Sequence, residues 1–362
     1  MATFREGIAR RVATRDGGLV QVEVELPGGA LCEADGFPAM LGYVEEGHRL
    51  VVNTTGLDLG LGTGGRAFIL WDLDAPAEDP PVGGHIVKMR YTPWQTEVLA
   101  AEEKASAHHE VLLDAETVGA MPVVACGLHS QIAGVAAGIR ARAPQARIGY
   151  LMTDGAALPL AWSRLVAACL GAGLVDVTST CGHAFGGELE TVNVFSGLVA
   201  LRHAARADIA IVAMGPGVVG TGTALGFTAM EQGQVLDATT GLGGQPVACV
   251  RVSFADERPR HRGISHHTLT ALRVATRLPV DVVLPDLGAR TEELREQLQA
   301  GGVADRHRVH IVDGRPGLEV LRRSRVDVTT MGRSVDETPE TFLAACGAGT
   351  FAGGLLTDTL AR

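Results

Sequence analysis

Lysine is almost missing from this chain. Of its 31 basic residues only Lys88 and Lys104 are lysines, and the remaining 29 are arginine. That skew fits the codon usage of a GC-rich bacterial genome. A lone lysine among arginines has chemistry arginine cannot supply, although the plainer expectation for Lys88 is a solvent-facing amine. Aromatic residues are scarce at 4%. The six cysteines form no CxxC pair, and no HExxH, zinc-finger, EF-hand or Walker spacing occurs. This removes the metal and nucleotide sites that a single motif can encode, so any metal centre must be assembled from separate segments. A formal charge of −10 argues against a nucleic-acid surface, which needs clustered basic residues. One uncharged stretch, 209–227, is long enough to span a bilayer. Gly215, Pro216, Gly217, Gly220, Gly222 and Gly226 interrupt it, which suits a buried strand running into a glycine loop better than a membrane helix. The first residues lack an apolar signal core, and the cysteines sit in apolar runs as free thiols. A reducing cytoplasm is the expected compartment.

Glycine, by contrast, is abundant at 47 residues, and a pattern repeats along most of the chain. Short apolar runs at 123–126, 148–153, 175–180, 209–214, 247–253, 280–284 and 309–312 each stop at a cluster of polar residues or glycine. Helix-length segments separate them, predicted at 95–104, 130–143, 160–172, 188–206, 224–232, 265–277, 291–299, 317–323 and 338–345. Apolar strands alternating with helices predict an α/β unit, a Rossmann-like and mainly parallel sheet with helices on both faces. In such a sheet ligands bind beyond the C-terminal ends of the strands.

Residues 1–82 read differently. Val20, Val22, Val24 and Leu26 alternate with Gln21, Glu23 and Glu25, the period of a half-buried strand. Further strands are predicted at 30–34, 39–44, 49–53 and 67–72, enough for a small β-barrel or β-sandwich. Pro76, Pro80 and Pro81 mark a linker to the second domain, residues 83–362. That domain opens with a strand carrying Lys88 and Arg90 on one face.

Three segments carry candidate chemistry. In the loop at 215–226, Gly215, Gly217, Gly220 and Gly222, with Thr221 and Thr223, can turn backbone amides toward an anion beside a helix start. The same loop also reads as a tight turn between packed elements. A dinucleotide fingerprint fits poorly, because the last glycine spacing is one residue long and Asp237 comes early for a ribose-binding acid. The second segment, 254–268, gathers Arg258, Arg260 and Arg262, whose forks recognise carboxylate or phosphate, together with three histidines. Ser265 is placed to cap the following helix, leaving His266 and His267 in its first turn with neutral rings. The third is 180–188, where His183 follows a strand end and Glu188 opens a helix; Cys181 close by raises a thiol–imidazole nucleophile as an option. Ser130 stands between strand and helix, as a helix cap or a ligand contact, and Asp154 ends its strand. His183, His266 and Asp154 are therefore the acid/base candidates, and His129, His183, Asp256 and His267 the candidates for a divalent metal, whose requirement is left open.

Six segments also resemble one known family: Asn53-Thr-Thr with Leu59-Gly-Leu-Gly-Thr-Gly-Gly65, Gly84-His-Ile-Val-Lys-Met-Arg-Tyr-Thr-Pro93, Thr153-Asp-Gly-Ala-Ala-Leu-Pro159, Gly182-His-Ala-Phe-Gly-Gly187, Met214-Gly-Pro-Gly-Val-Val-Gly-Thr-Gly-Thr223 and Gly263-Ile-Ser-His-His-Thr-Leu-Thr270. Together they resemble an uncharacterised bacterial domain-of-unknown-function family, DUF3866, of Actinobacteria and Firmicutes. The resemblance spans nearly the whole chain and implies a bacterial protein without transferring catalytic residues. Two functions remain open on the residues alone. One is a hydrolase or group transferase acting on a small anionic metabolite, phosphorylated or carboxylated. The other is a non-catalytic regulatory protein that binds a nucleotide or metabolite in the same pocket. No membrane or nucleic-acid partner is expected, and the abundant glycine and alanine permit a homo-oligomer.

Overall fold

The structure is a computed structural model describing residues 2–15, 18–61, 64–76 and 83–360. The expected linker residues Pro80 and Pro81 lie outside the described residues. Two compact units emerge, one of residues 1–83 with 89–96 and one of residues 84–88 with 97–362.

The first unit is a closed barrel of five strands, β1 (Phe4–Arg15), β2 (Leu19–Glu25), β3 (Leu31–Gly36), β4 (Arg49–Asn53) and β5 (Ala67–Asp72), in the order β1-β2-β3-β5-β4. The alternation in β2 decides its facing: Val20, Val22 and Val24 point inward onto Ala34, Leu50, Val52, Ala67 and Ile69, as a period of two requires. The strand expected at 39–44 is replaced by a helical turn at Pro38–Leu41 with proline in its first turn, where a fixed φ and a missing N–H suit a helix start rather than a ladder.

The second unit is built on eight parallel strands: β6 (Pro122–Cys126), β7 (Ile148–Thr153), β8 (Val177–Thr180), β9 (Leu189–Glu190), β10 (Ile209–Met214), β11 (Gln245–Cys249), β12 (Asp281–Pro285) and β13 (Arg308–Val312). Their order across the sheet is β9-β8-β7-β10-β6-β11-β12-β13, and every pairing is parallel. Strands β6, β7, β8, β10 and β12 are buried along their whole length. Alternate residues of each serve two separate cores. On one face Val124, Cys126, Ile148, Tyr150, Ile209 and Ile211 pack under α1 (Gln131–Arg142), α2 (Arg164–Gly171), α6 (Arg315–Ser324) and α7 (Pro339–Leu360). On the other, Val123, Ala125, Leu151, Ala210 and Val212 pack under α3 (Val194–His203), α4 (Glu231–Gly241) and α5 (Ala289–Ala300).

Several predicted helices shift for identifiable reasons. Residues 188–193 do not open a helix, because Leu189–Glu190 adds β9 to the sheet edge, and α3 begins only after the Asn193 cap. No helix forms at 95–104, where Thr96–Val98 is extended. The helix expected at 224–232 becomes a short turn at Thr228–Met230 followed by α4. The strand around Lys88 ends at that residue, leaving Arg90 in a turn. The run expected at 247–253 divides into β11 and a short antiparallel ladder of Val252–Ser253 with Gly263–Ile264.

The connections set the position of the site. Those running toward β9, through α1 and α2, cover one face, and those running back toward β13, through α3, α4 and α5, cover the other. Strand β6 therefore sends its chain to one face while its neighbours β10 and β11 send theirs to the opposite face. In sheets of this class, connections that diverge in this way mark the place on the C-terminal edge where ligands bind.

Helix α1 is held against α7 at backbone distance. A Cβ on Gly138 would lie 2.0 Å from the Cys346 carbonyl oxygen, and one on Gly349 would lie 2.0 Å from that of Val135. Gly138→Ala must therefore push the two helices apart. An overpacking cost of about 3 kcal/mol is expected in urea denaturation, against little change for an exposed control such as Gly171→Ala.

Candidate functional site

The chain leaving β11 builds a tight knot. Val252–Ser253 pairs with Gly263–Ile264, which draws residues 254–262 into a closed loop. Inside it Asp256 takes the Arg258 fork, with Nε at 2.9 Å and Nη2 at 2.8 Å, and the buried Arg251 at 3.4 Å. The Arg258 guanidinium holds the Asp256 carboxyl well below the usual carboxylate range. Ser265 caps the short helix His266–Thr270 by accepting the His267 amide, so both histidines occupy its first turn. His261, from the turn at Pro259–His261, sets Nδ1 2.7 Å from Ser265 Oγ.

The three imidazoles consequently face one another. Ring centroids lie 5.0 Å apart for His261 with His266 and with His267, and 4.4 Å apart for His266 with His267. One ring nitrogen from each falls within 4.8 Å of the others. Both His266 Nε2 and His267 Nδ1 are buried without a hydrogen-bond partner among the described residues. Burial, reinforced by nearby arginines and the neighbouring rings, lowers His261 to about 4 and His267 to about 3, and lowers His266 as well. At neutral pH all three rings are uncharged; His261 Nε2 accepts a long bond from Arg260 Nε at 3.4 Å, and the unpartnered nitrogens are those of His266 and His267.

The glycine loop after β10 packs against this cluster. Its base is a small antiparallel closure: Gly220 bridges Phe227, and the Thr221 amide donates to the Gly226 carbonyl at 2.9 Å. Phe227 lies flat on His267, with centroids 4.0 Å apart and planes 8° from parallel. A Cβ on Gly220 would sit 3.5 Å from His267 Cε1 and Nε2, and one on Gly222 would sit 3.3 Å from Arg260 Nη1. Gly217 and Gly222 take positive φ, 108° and 80°. Gly215 is different. It is buried, and a Cβ there would meet the Ala157 carbonyl oxygen at 2.3 Å, so its role is close packing. Thr221 and Thr223 bond each other at 3.0 Å. Arg262 is exposed and supplies its amide to the 259–262 turn.

A second group forms where β7 and β8 end. Asp154 accepts the His183 amide at 2.9 Å, and Gly182, at φ 65°, leaves the space that the Asp154 carboxylate occupies. Glu231, first residue of α4, accepts from Thr153 Oγ1 at 2.5 Å. Burial lifts its carboxyl to about 7, helped by the charge of Asp154. The Pro216 carbonyl accepts the Ala157 amide at 3.1 Å, so the loops after β7 and β10 are laced together. His266 and His183 thus stand at the same sheet edge but in separate groups, the first after β11 and the second after β8.

Other candidates are occupied within the fold. His129 donates from Nδ1 to the Met214 carbonyl at 2.9 Å and accepts from Ser163 Oγ at 2.6 Å, which engages both nitrogens; burial lowers it to about 4. Ser130 makes no capping bond and instead donates to Thr330 Oγ1 at 3.0 Å. Burial pushes the Cys181 thiol up to about 12, the wrong direction for a nucleophile. Glu188 opens no helix; its Oε1 accepts the Thr178 amide at 3.2 Å. Lys88 is not solvent-facing. It is buried, and Nζ binds Glu190 Oε2 at 2.5 Å and the carbonyls of Thr180 and Ala184, tying down the turn that carries His183. Sequence reasoning passed over Arg251 and Glu231. The first directly follows an apolar strand and could have been read from that place, whereas nothing local shows that Glu231 meets Thr153. A cavity of about 430 Å³, lined in part by Met121, Pro122, Arg142, Arg202 and Asp208, lies at the strand starts, the edge where such sheets do not bind ligands.

A family model described as a protein of unknown function, DUF3866, matches residues 33–349. The chain belongs to the DUF3866 family. No curated protein and no solved structure matches it. No helix among the described residues is long and apolar enough to cross a membrane.

In this DUF3866 member Glu231 offers a pH test. Its carboxyl rises from 4.5 to about 7 on folding, so between those values the folded chain keeps a proton that the unfolded chain releases. The stability it contributes is full below 4.5 and falls as pH rises through 7. Glu231→Gln is expected to remove this decline, a difference on the order of 3 kcal/mol across the window, read from urea midpoints at a series of pH values.

Proposed function

We propose that this chain is an enzyme, a hydrolase or group transferase, acting on a small phosphorylated or carboxylated metabolite in the crevice beyond β10, β6 and β11. The observation that carries the reading is the meeting of two distant segments: Gly220 and Gly222 lie against His267 and Arg260, at the point where the connections diverge. The amides of Gly217, Gly220 and Gly222 and the Arg260 guanidinium are the groups that hold the anion. Proton transfer falls to Asp154, His183 and Glu231 at the neighbouring strand ends, where a half-buried carboxyl near 7 suits a general acid or base. A dinucleotide is disfavoured, because the helix that should receive its pyrophosphate begins with the half-buried acid Glu231. The setting fits a bacterial cytoplasm, given six free cysteines of which five are buried.

The test is a thermal-shift screen of phosphate- and carboxylate-bearing metabolites, followed by calorimetry on the best binder. Arg260 is exposed, so Arg260→Ala is expected to leave the melting temperature of the ligand-free protein unchanged while weakening binding about tenfold, roughly 1.4 kcal/mol. Unchanged affinity in that variant, or no response to any anion, contradicts the reading. Tight binding without turnover of any bound compound supports a regulatory sensor instead.

A further inference from the structure

We propose that His261, His266 and His267 form a binding site for one divalent transition-metal ion of the zinc class, with a coordination position left open toward Gly220 and Arg260. The inference deepens the preceding reading and rests on its placement of the crevice, but the ligands themselves are argued from their own geometry.

Three observations converge. Ring nitrogens of the three residues lie within 4.8 Å of one another, although the residues arrive from two turns joined by a β-ladder. Tetrahedral coordination at zinc–nitrogen distances near 2.0–2.1 Å separates ligand atoms by about 3.3 Å, so small ring tilts close the site. Two of the nitrogens, His266 Nε2 and His267 Nδ1, are buried and unpartnered, and His267 is only 8% exposed. A buried polar atom left unpaired is unfavourable, and a shared cation relieves both at once. The surroundings also orient the rings. Ser265 Oγ bonds His261 Nδ1 and leaves Nε2 to a 3.4 Å bond from Arg260 Nε, a long contact on an exposed side chain that a metal ion would replace, while Phe227 stacks on His267. A hydrogen bond on the other ring nitrogen is the usual support of a metal-bound histidine.

The donor set selects the ion. Three neutral imidazoles suit zinc, cobalt, nickel or copper and disfavour magnesium and calcium, which take oxygen ligands. Three protein ligands rather than four are the arrangement that leaves room for water or substrate. The neighbouring charges agree with an anionic ligand in that place. Arg251 is buried in the same loop and Arg260 Nε donates to His261 Nε2 at 3.4 Å, so an added cation increases the local positive charge until an anion balances it.

The experiment uses the full chain, stripped with a chelator and titrated with Zn²⁺ by calorimetry and with Co²⁺ by visible absorption, with no other ligand present. About one ion per chain is expected, with the d–d bands of cobalt in a low-coordinate nitrogen site. His266→Ala and His267→Ala are each expected to weaken Zn²⁺ binding at least about 100-fold and to abolish the cobalt bands, while His183→Ala leaves both unchanged. Circular dichroism and melting of the metal-free variants confirm that they fold. If a variant does not fold, the wild type still decides: no cobalt bands from the wild-type chain overturn the proposal, as do folded cluster variants that bind metal like the wild type. Because anions are absent, a negative result here leaves the anion-site reading standing, and loss of anion binding in Arg260→Ala leaves the metal site standing.

Discussion

Strand β6 leaves the sheet toward one face while β10 and β11, on either side of it, leave toward the other. That divergence is a constraint of connection, independent of any side chain, and it marks the place on the C-terminal edge where sheets of this class bind ligands. The glycine loop, the Arg/His knot and His129 are all delivered there because each directly follows one of these three strands. The close α1–α7 packing through Gly138 and Gly349 holds one wall of the sheet in place, so the rim sits on a rigid base.

Glycine and histidine then divide the work. The β10 loop lies against His267 at Gly220 and against Arg260 at Gly222, whose positive φ of 80° favours a residue without a Cβ. In return the Phe227 ring, stacked on His267, shields the imidazoles from water and keeps them neutral. Asp256 neutralises Arg258, which leaves Arg260 as the guanidinium at the loop. Farther along the edge, Lys88 and Glu190 fix the turn bearing His183, and Asp154 closes it.

Apolar runs ending in polar clusters were enough to read the α/β class, because burial on both faces writes continuous Val, Ile and Ala into strands, and the alternation at 20–26 was enough to read the N-terminal β-unit. Pairings between distant segments were not legible. Nothing in the order of residues shows that Leu189–Glu190 joins β8 rather than starting a helix, or that Lys88 is buried beneath the 180–184 turn. The histidine cluster was visible as a density of residues in one loop, but the joining of His261 to His266 and His267 depends on the Val252–Ser253 ladder, which lies across the strand expected at 247–253. Ser130 misled because a serine before a helix fits a cap by composition, and its hydroxyl went to Thr330 instead.

The most direct test of the central claim, that the glycine loop after β10 and the three histidines after β11 meet to hold a metal ion, is an anomalous difference map at the zinc absorption edge from crystals of the full chain grown with zinc. The account predicts a peak enclosed by His261, His266 and His267 beside Gly220. A map featureless at that place, with the three rings turned apart and the glycine loop lifted away from Arg260, would contradict it.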